Sequence, residues 1–268
     1  MKIACIQFAI LWEAPEANFE RVKVLIKEAK QNGAELICLP ELFSTGVTRN
    51  SDKFAEQEDG KTGKFLSEQA KKNDTYLLGS FIEKSKEKKS LPKNAVIVFN
   101  PKGKLVCKYQ KNHVFTYGNE DKAYSNGKGI SCFKMNAFVF YPFICYDLRF
   151  PELFRIAIER ANEANVFIIP ANWPNPRKDH WVTLLRARAI ENQAYVIGIN
   201  RCGNSPELSF FGSSMIVSPK GEIIAQSGEA EETILADLRP EEVNEWRTTF
   251  SVLKDKRTKY YSVLASEK

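Results

Sequence analysis

Residues 139–152 read VFYPFICYDLRFPE, in which an apolar, strand-like run ends at a cysteine and a helix-like segment begins. A strand-to-helix turn can direct a side chain into a cleft, and the backbone N–H groups that follow then face developing negative charge. This placement makes Cys145 a candidate nucleophile. The alternative is a buried, inert thiol, the usual state of a cysteine in an apolar run.

A nucleophilic thiol needs a base, and the chain has only two histidines, His113 and His180. Neither stands in a position typical of a base, and two histidines do not provide a His-rich zinc site, so we expect no metal. A carboxylate is the other candidate. Glu41 directly follows the apolar run AELICLP, residues 34–40, and this position favours it as the general base.

Lys111 comes shortly after the strand-like run KLVCKY, residues 104–109. We regard it as a third candidate for the site. A solvated surface lysine is the alternative, because most lysines stay exposed.

Three blocks then occur in order along the chain: LPE at 39–41, KNHVF at 111–115 and CYDLRFPE at 145–152. Together they resemble the signature blocks of the carbon-nitrogen hydrolase (nitrilase) superfamily, which has a Glu-Lys-Cys triad. A fourth block, ANWP at 171–174, followed by residues 180–181 and 186–196, is similar to the ω-amidase-like branch, which includes bacterial 2-oxoglutaramate amidases. The resemblance extends from Ile3 to about Leu238.

Carried over by position, the resemblance implies that Cys145 is the nucleophile and Glu41 the general base and acid. Lys111 and the backbone N–H of Tyr146 would form the oxyanion hole. A second glutamate beside the triad matches Glu120, and its role would be to orient Lys111. The next residue, Asp121, is the alternative candidate for this second carboxylate.

The substrate-binding residues are inferred from the same blocks. Arg149 occurs in branches that act on carboxylate-bearing substrates, and a guanidinium can bind a carboxylate through two hydrogen bonds. The alternative is a structural ion pair of Arg149 with Glu152 or Asp147. We expect three aromatic residues to wall the pocket, although each could equally belong to the core: Phe43, Phe115 and Trp173.

Composition agrees with a compact enzyme. The chain has 268 residues, 43% of them hydrophobic, and a modest net charge of +6, so we expect one domain over residues 1–268. The basic stretch at residues 84–93 predicts a solvated hairpin loop, because it lacks the interleaved aromatics of a nucleic-acid site. The six cysteines show no C-x-x-C spacing. This spacing predicts reduced, buried thiols. The sequence shows no signal-like or membrane-spanning run, so we expect a cytoplasmic protein that binds no membrane and no nucleic acid.

Strand-like and helix-like segments alternate along the chain. Two segments, 96–106 and 215–224, share a strand, Pro-x-Gly turn, strand pattern that predicts hairpins. The predicted strands are 2–8, 35–39, 76–82, 94–99, 165–169 and 194–199, and the predicted helices are 18–31, 63–72, 151–163 and 179–192. Periodicity alone gives an α/β class. The resemblance implies a four-layer α-β-β-α sandwich of two packed sheets with pseudo-symmetric halves, and a homodimer.

The sequence therefore predicts an amidase that needs no cofactor. It would hydrolyse the ω-amide of a small carboxylate-bearing acid, such as a 2-oxo acid, to the acid and ammonia through a cysteine thioester. Two alternatives within the superfamily are a deaminated-glutathione amidase and an N-carbamoyl amino acid hydrolase. An alternative of another class is an inactive relative that serves as a binding or scaffold protein.

Overall fold

The computed structural model describes residues 1–87, 89–161 and 164–266. Within these ranges the chain forms fourteen strands and seven α-helices. The strands are β1 Lys2–Gln7, β2 Leu36–Cys38, β3 Tyr76–Glu83, β4 Lys93–Phe99, β5 Leu105–Gln110, β6 Phe133–Met135, β7 Phe138–Pro142, β8 Val166–Ala171, β9 Tyr195–Asn200, β10 Cys202–Asn204, β11 Ser209–Phe211, β12 Met215–Val217, β13 Ile223–Gln226 and β14 Glu232–Asp237. The α-helices are α1 Pro15–Gln31, α2 Ser51–Phe54, α3 Lys61–Lys72, α4 Pro151–Ala161, α5 Lys178–Asn192, α6 Pro240–Thr249 and α7 Thr258–Ser266.

Two six-stranded sheets repeat one plan, with strand orders β14-β1-β2-β3-β4-β5 and β6-β7-β8-β9-β12-β13. Three central parallel strands run in each sheet, β1-β2-β3 and β7-β8-β9. Each parallel set carries an antiparallel hairpin on one side, β4-β5 or β12-β13, and one antiparallel strand on the other. The predicted pseudo-symmetric halves are therefore present, and both predicted hairpins are confirmed.

Alternation along β1 shows how the layers pack. Ile3 and Cys5 belong to the core cluster that also contains side chains of the second sheet. Ala4 and Ile6 belong to a separate cluster that contains the buried faces of α1 and α3. Successive side chains of a strand point to opposite faces, so one face of this sheet contacts the other sheet and the opposite face contacts helices. The expected four-layer α-β-β-α sandwich follows from this packing.

Glycine occupies the same place in the two halves. Gly79 is the fourth residue of β3, and Gly198 is the fourth residue of β9. A Cβ at Gly79 would lie 2.9 Å from the side chain of Leu66 on α3, and one at Gly198 would lie 2.5 Å from Leu185 on α5. Glycine at these two positions allows each helix to pack closely on its strand.

The predicted elements form within a few residues of their expected bounds. Helix 151–163 ends at Ala161 in the structure, and the last two predicted residues lie outside the described residues. The basic stretch connects β3 and β4 as predicted, and its residue 88 also lies outside the described residues. All six cysteines are free. In the described part of the chain, no helix has both the length and the apolar character needed to cross a membrane.

Candidate active site

Cys145 lies at the sharp turn that follows β7. It begins a 3-10 helix, Cys145–Arg149, and its φ of 44° places it in the left-handed region. Asp147 holds the turn, since its Oδ2 accepts a hydrogen bond of 3.1 Å from the N–H of Ile144. A left-handed residue that is not glycine costs conformational free energy, and such residues occur often at functional sites.

Asp147 also ties this turn to the segment that contains Lys111. Its carboxylate is fully buried and accepts hydrogen bonds from the hydroxyl of Tyr109 at 2.7 Å and from the N–H of His113 at 2.9 Å. The Nδ1 atom of His113 lies 2.9 Å from Oδ1. Asp147 therefore positions the end of β5 against the turn at Cys145.

Glu41 lies just beyond β2 and is fully buried. Its Oε1 accepts hydrogen bonds from Nδ2 of Asn94 at 2.7 Å and from Nζ of Lys111 at 3.1 Å. Its Oε2 accepts a hydrogen bond of 2.8 Å from the N–H of Asn172 and a longer one of 3.4 Å from Nδ2 of that residue. The buried carboxylate thus has both oxygens hydrogen-bonded, with the weaker second contact on Oε2.

Lys111 is held between two carboxylates. Besides Glu41, its ammonium donates to Oε1 and Oε2 of Glu120 at 2.8 and 2.9 Å. Glu120 is buried, whereas Asp121 is exposed. The geometry therefore favours Glu120 over Asp121 as the second carboxylate beside the three central residues.

Charges in this buried cluster shift three pKa values. Burial raises the pKa of the Cys145 thiol well above its usual range, and the charge of Glu41 raises it further, while Lys111 opposes the shift. Burial disfavours the charge of Lys111, but Glu120 and Glu41 outweigh this effect and raise its pKa well above the ordinary value. Burial and the nearby charge of Glu41 raise the pKa of Glu120, against the influence of Lys111. Cys145 is therefore a neutral thiol and Lys111 a cation near neutral pH.

A cavity of about 470 Å³ opens onto this cluster. Cys145, Glu41, Lys111 and Glu120 all line it. Tyr146 lines it too, and its backbone N–H belongs to the first turn of a 3-10 helix, where N–H groups have no partner within the helix. The structure thus brings to one cavity the five residues expected to react, to form the oxyanion hole or to orient Lys111, and this cavity is large enough for a small ligand.

Of the three predicted pocket aromatics, Phe115 and Trp173 line the cavity. The prediction for Phe43 is wrong. Phe43 is fully buried in the core between sheet and helices, where its ring packs 5.9 Å from that of Phe19 and 6.1 Å from that of Phe65. Leu42 has a left-handed φ of 44° and begins a turn after Glu41, and the adjacent side chains of Leu42 and Phe43 belong to different core clusters.

Arg149 lines the cavity and does not form the alternative ion pairs. In the described part of the chain, no carboxylate lies within ion-pair distance of its guanidinium. Instead, its two terminal nitrogens lie 3.3 Å from Nδ1 of His180, and the group lies 4.7 Å from the ring centroid of Trp173. Arg149 is available to bind an anionic ligand.

Two asparagines at the site have no role predicted from the sequence. Asn94 is the second residue of the hairpin strand β4, and Asn172 directly follows β8. Both donate side-chain hydrogen bonds to Glu41, and both have a buried Oδ1 with no hydrogen-bond partner among the described residues. The position of Asn172 at a strand end, inside the ANWP block, was the only available signal.

At the strand ends of two packed mixed sheets, a partly buried cysteine shares a cavity with a buried glutamate and a buried lysine, an arrangement suited to nucleophilic catalysis. The chain belongs to the carbon-nitrogen hydrolase family, because the family model matches residues 2–248.

Known proteins resemble this chain over nearly its whole length. The 2-oxoglutaramate amidase of Bacillus subtilis is 33% identical over 260 residues, which cover 97% of this chain and 98% of the relative. Among solved structures, a carbon-nitrogen hydrolase superfamily protein of Xanthomonas campestris, with an arsenic adduct in its active site, is 30% identical, with a TM-score of 0.89 and coverage of 96% of this chain and 97% of that chain. Nit3 of Saccharomyces cerevisiae is also 30% identical, with a TM-score of 0.85 over 93% and 94% of the two chains. These likenesses confirm the predicted family, fold and amidase class.

Proposed function

We propose that this enzyme hydrolyses the ω-amide of a small carboxylate-bearing acid, releasing the acid and ammonia. We infer a 2-oxo acid amide, such as 2-oxoglutaramate or 2-oxosuccinamate, because relatives that match nearly the full chain carry the names 2-oxoglutaramate amidase and ω-amidase. The observation that carries the proposal is the placement of Cys145, Glu41 and Lys111 on one cavity.

In the first half of the reaction, Sγ of Cys145 attacks the amide carbon. Glu41 takes the thiol proton and passes it to the departing nitrogen, so that ammonia leaves rather than an amide anion. The raised pKa of the thiol supports this order, since the proton has to be removed during attack. Oε2 of Glu41 suits the proton transfer, because its second hydrogen bond is the long one, at 3.4 Å.

The carbonyl oxygen becomes negative at this step and needs donors in place. The ammonium of Lys111 and the backbone N–H of Tyr146 supply them. Glu120 supports Lys111 through hydrogen bonds of 2.8 and 2.9 Å, and it keeps the ammonium oriented while Glu41 changes its protonation state.

In the second half, Glu41 takes a proton from water, and the resulting hydroxide attacks the thioester carbon. A second oxyanion forms in the same hole and collapses, breaking the C–S bond and releasing the carboxylic acid. The proton held by Glu41 returns to the sulfur, which restores the thiol. Each cycle therefore consumes one amide and one water.

Ammonia release from a panel of amides tests the proposal. The panel contains 2-oxoglutaramate, 2-oxosuccinamate, deaminated glutathione, an N-carbamoyl amino acid and an uncharged aliphatic amide. We expect the highest kcat/KM with a 2-oxo acid ω-amide, and no ammonia with the Cys145→Ala variant. A higher kcat/KM for deaminated glutathione or the N-carbamoyl compound would assign one of the alternative activities. No ammonia from any amide would support an inactive binding protein.

We also propose that the chain is a single catalytic domain, because Glu41 and Lys111 come from the first sheet and Cys145 from the second. One cooperative unfolding transition would agree with a single domain, and two separate transitions would not.

Six free cysteines support a cytoplasmic location. Exposed apolar side chains near the end of the chain, among them Phe250, Tyr261 and Leu264, support a homodimer. Cell fractionation and sedimentation velocity test these two proposals.

A further inference from the structure

A second arginine, Arg177, lines the cavity beside Arg149. It ends the short 3-10 helix Asn175–Arg177, and its guanidinium lies 5.1 Å from the ring centroid of Phe115. Among the described residues, no carboxylate lies within ion-pair distance of it. Two cavity guanidiniums, Arg149 and Arg177, thus lack a carboxylate partner.

The two guanidiniums are close enough to influence each other, with Trp173 in contact with both residues. The ring of Trp173 lies 4.7 Å from the guanidinium of Arg149, and its Nε1 donates a 2.8 Å hydrogen bond to the main-chain carbonyl of Arg177. Burial, followed by the positive charge of Arg177, lowers the pKa of Arg149. Like charges placed together at one wall indicate a site for negative or strongly polar oxygen atoms.

The acidic residues that line the cavity cannot serve as partners, because each is bound elsewhere. Their partners are Lys111 for Glu41 and for Glu120, Arg49 for Glu207, and Thr48 and Asn50 for Glu13. The wall formed by Arg149, Arg177 and Trp173 therefore has unbalanced positive charge, and it offers hydrogen-bond donors without a carboxylate acceptor.

We propose that Arg177 determines specificity at the second carbon of the substrate, with Arg149 binding the adjacent carboxylate. The proposal rests on the amidase function proposed above. A guanidinium donates hydrogen bonds to a 2-oxo oxygen, whereas a 2-ammonium group would add a third positive charge and, among the described residues, meet no unpaired carboxylate at this wall. The pair thus selects 2-oxo acids over the matching 2-amino acids.

Three five-carbon amides test this role, because they differ only at the second carbon: 2-oxoglutaramate, glutaramate with a methylene group, and glutamine with an ammonium group. We expect Arg177→Gln to lower kcat/KM for 2-oxoglutaramate about tenfold to a hundredfold more than for glutaramate, the effect of losing a charge-assisted hydrogen bond. The kcat/KM of this variant for glutamine should rise relative to its kcat/KM for glutaramate. Arg177→Lys should retain part of the discrimination, since the charge remains.

Arg49→Gln is the matched control. Arg49 lines the same cavity, but its guanidinium pairs with Glu207 at 3.2 Å. The Arg49→Gln replacement should change kcat/KM for all three substrates by a similar factor. If Arg177→Gln also changes all three by the same factor, the specificity role of Arg177 is excluded, even though the enzyme remains an ω-amidase.

A binding measurement separates failure of this inference from failure of the amidase function. Calorimetry with the Cys145→Ala protein compares 2-oxoglutarate, glutarate and glutamate, with and without Arg177→Gln. The wild-type Arg177 should favour 2-oxoglutarate over glutarate by at least about tenfold, and Arg177→Gln should abolish that preference. Equal affinity for the three acids in the presence of Arg177 would overturn the inference whether or not amides are hydrolysed.

Discussion

Asn172 of the second sheet forms hydrogen bonds to Glu41 of the first sheet through both its backbone and its side chain. Its backbone N–H donates to Oε2 of the Glu41 carboxylate at 2.8 Å, and its Nδ2 donates to the main-chain carbonyl of Glu41 at 2.5 Å. Glu41 follows β2 and Asn172 follows β8, and these two strands occupy equivalent places in the two halves. The carboxylate of Glu41 is therefore held between the ends of the two central strands.

Replacement of Asn172 by alanine tests whether its side chain positions Glu41. Asn172→Ala retains the backbone bond and removes the side-chain bonds, so we expect kcat to fall roughly tenfold or more with little change in KM. Asn192→Ala is the matched control. Asn192 is also buried and donates to a backbone carbonyl, that of Arg188, on α5. Equal losses of kcat in the two variants would show that Asn172 has only a general structural role.

Lys111→Arg tests the oxyanion contact. A guanidinium retains the charge, but its broad, planar shape cannot take the position of a compact ammonium between Glu41 and Glu120. Turnover should fall at least roughly a hundredfold, the effect of losing one oxyanion donor. Lys108→Arg provides the control, since Lys108 lies on β5, which ends one residue before Lys111, and it also bridges two glutamates, Glu58 and Glu83. Near-normal turnover of Lys111→Arg would contradict the assigned role.

The protonation state of Cys145 gives a prediction about pH. Burial and Glu41 raise the pKa of this thiol, so the neutral form should persist as pH rises past the ordinary thiol range. A thiolate absorbs near 240 nm, and the difference spectrum between wild type and Cys145→Ala isolates this residue. We expect no step in that difference below about pH 9. A step between pH 5 and 8 would instead indicate a resting thiolate beside Lys111.

The two signature residues Glu41 and Cys145 could be predicted from the sequence because each ends an apolar strand-like run. The strands β2 and β7 belong to different sheets, and the packing of the two sheets brings the two residues to one cavity. Hairpin turns were also predictable, since Pro-x-Gly turns depend on local conformation.

Long-range packing could not be predicted from the sequence. β14 pairs with β1, at the opposite end of the chain, and no local pattern indicates that pairing. Phe43 is two residues from Glu41 in sequence but packs in the core against helices, because a turn begins at Leu42. The role of Asp147 in tying β5 to the turn at Cys145 likewise depends on contacts between distant segments.

Arg149 tests whether the substrate has a carboxylate. Arg149→Gln should reduce kcat/KM for a 2-oxo acid ω-amide tens- to thousands-fold more than for an uncharged amide of similar length, the effect of truncating a desolvated charge pair. The thermal unfolding midpoint should change little, since the structure shows no ion pair of Arg149 with Glu152 or Asp147. Equal losses on both amides, together with a lower midpoint, would assign Arg149 a structural role.

The most direct test of the account is to detect the thioester on Cys145. Enzyme mixed rapidly with a 2-oxo acid ω-amide, quenched in acid and digested, should carry the substrate acyl group on the peptide containing Cys145 and on none of the other five cysteines. The Cys145→Ala variant should form no adduct and retain less than about one per cent of wild-type turnover. Turnover above that level in Cys145→Ala, or an acyl group on another cysteine, would contradict the assignment of Cys145 as the nucleophile.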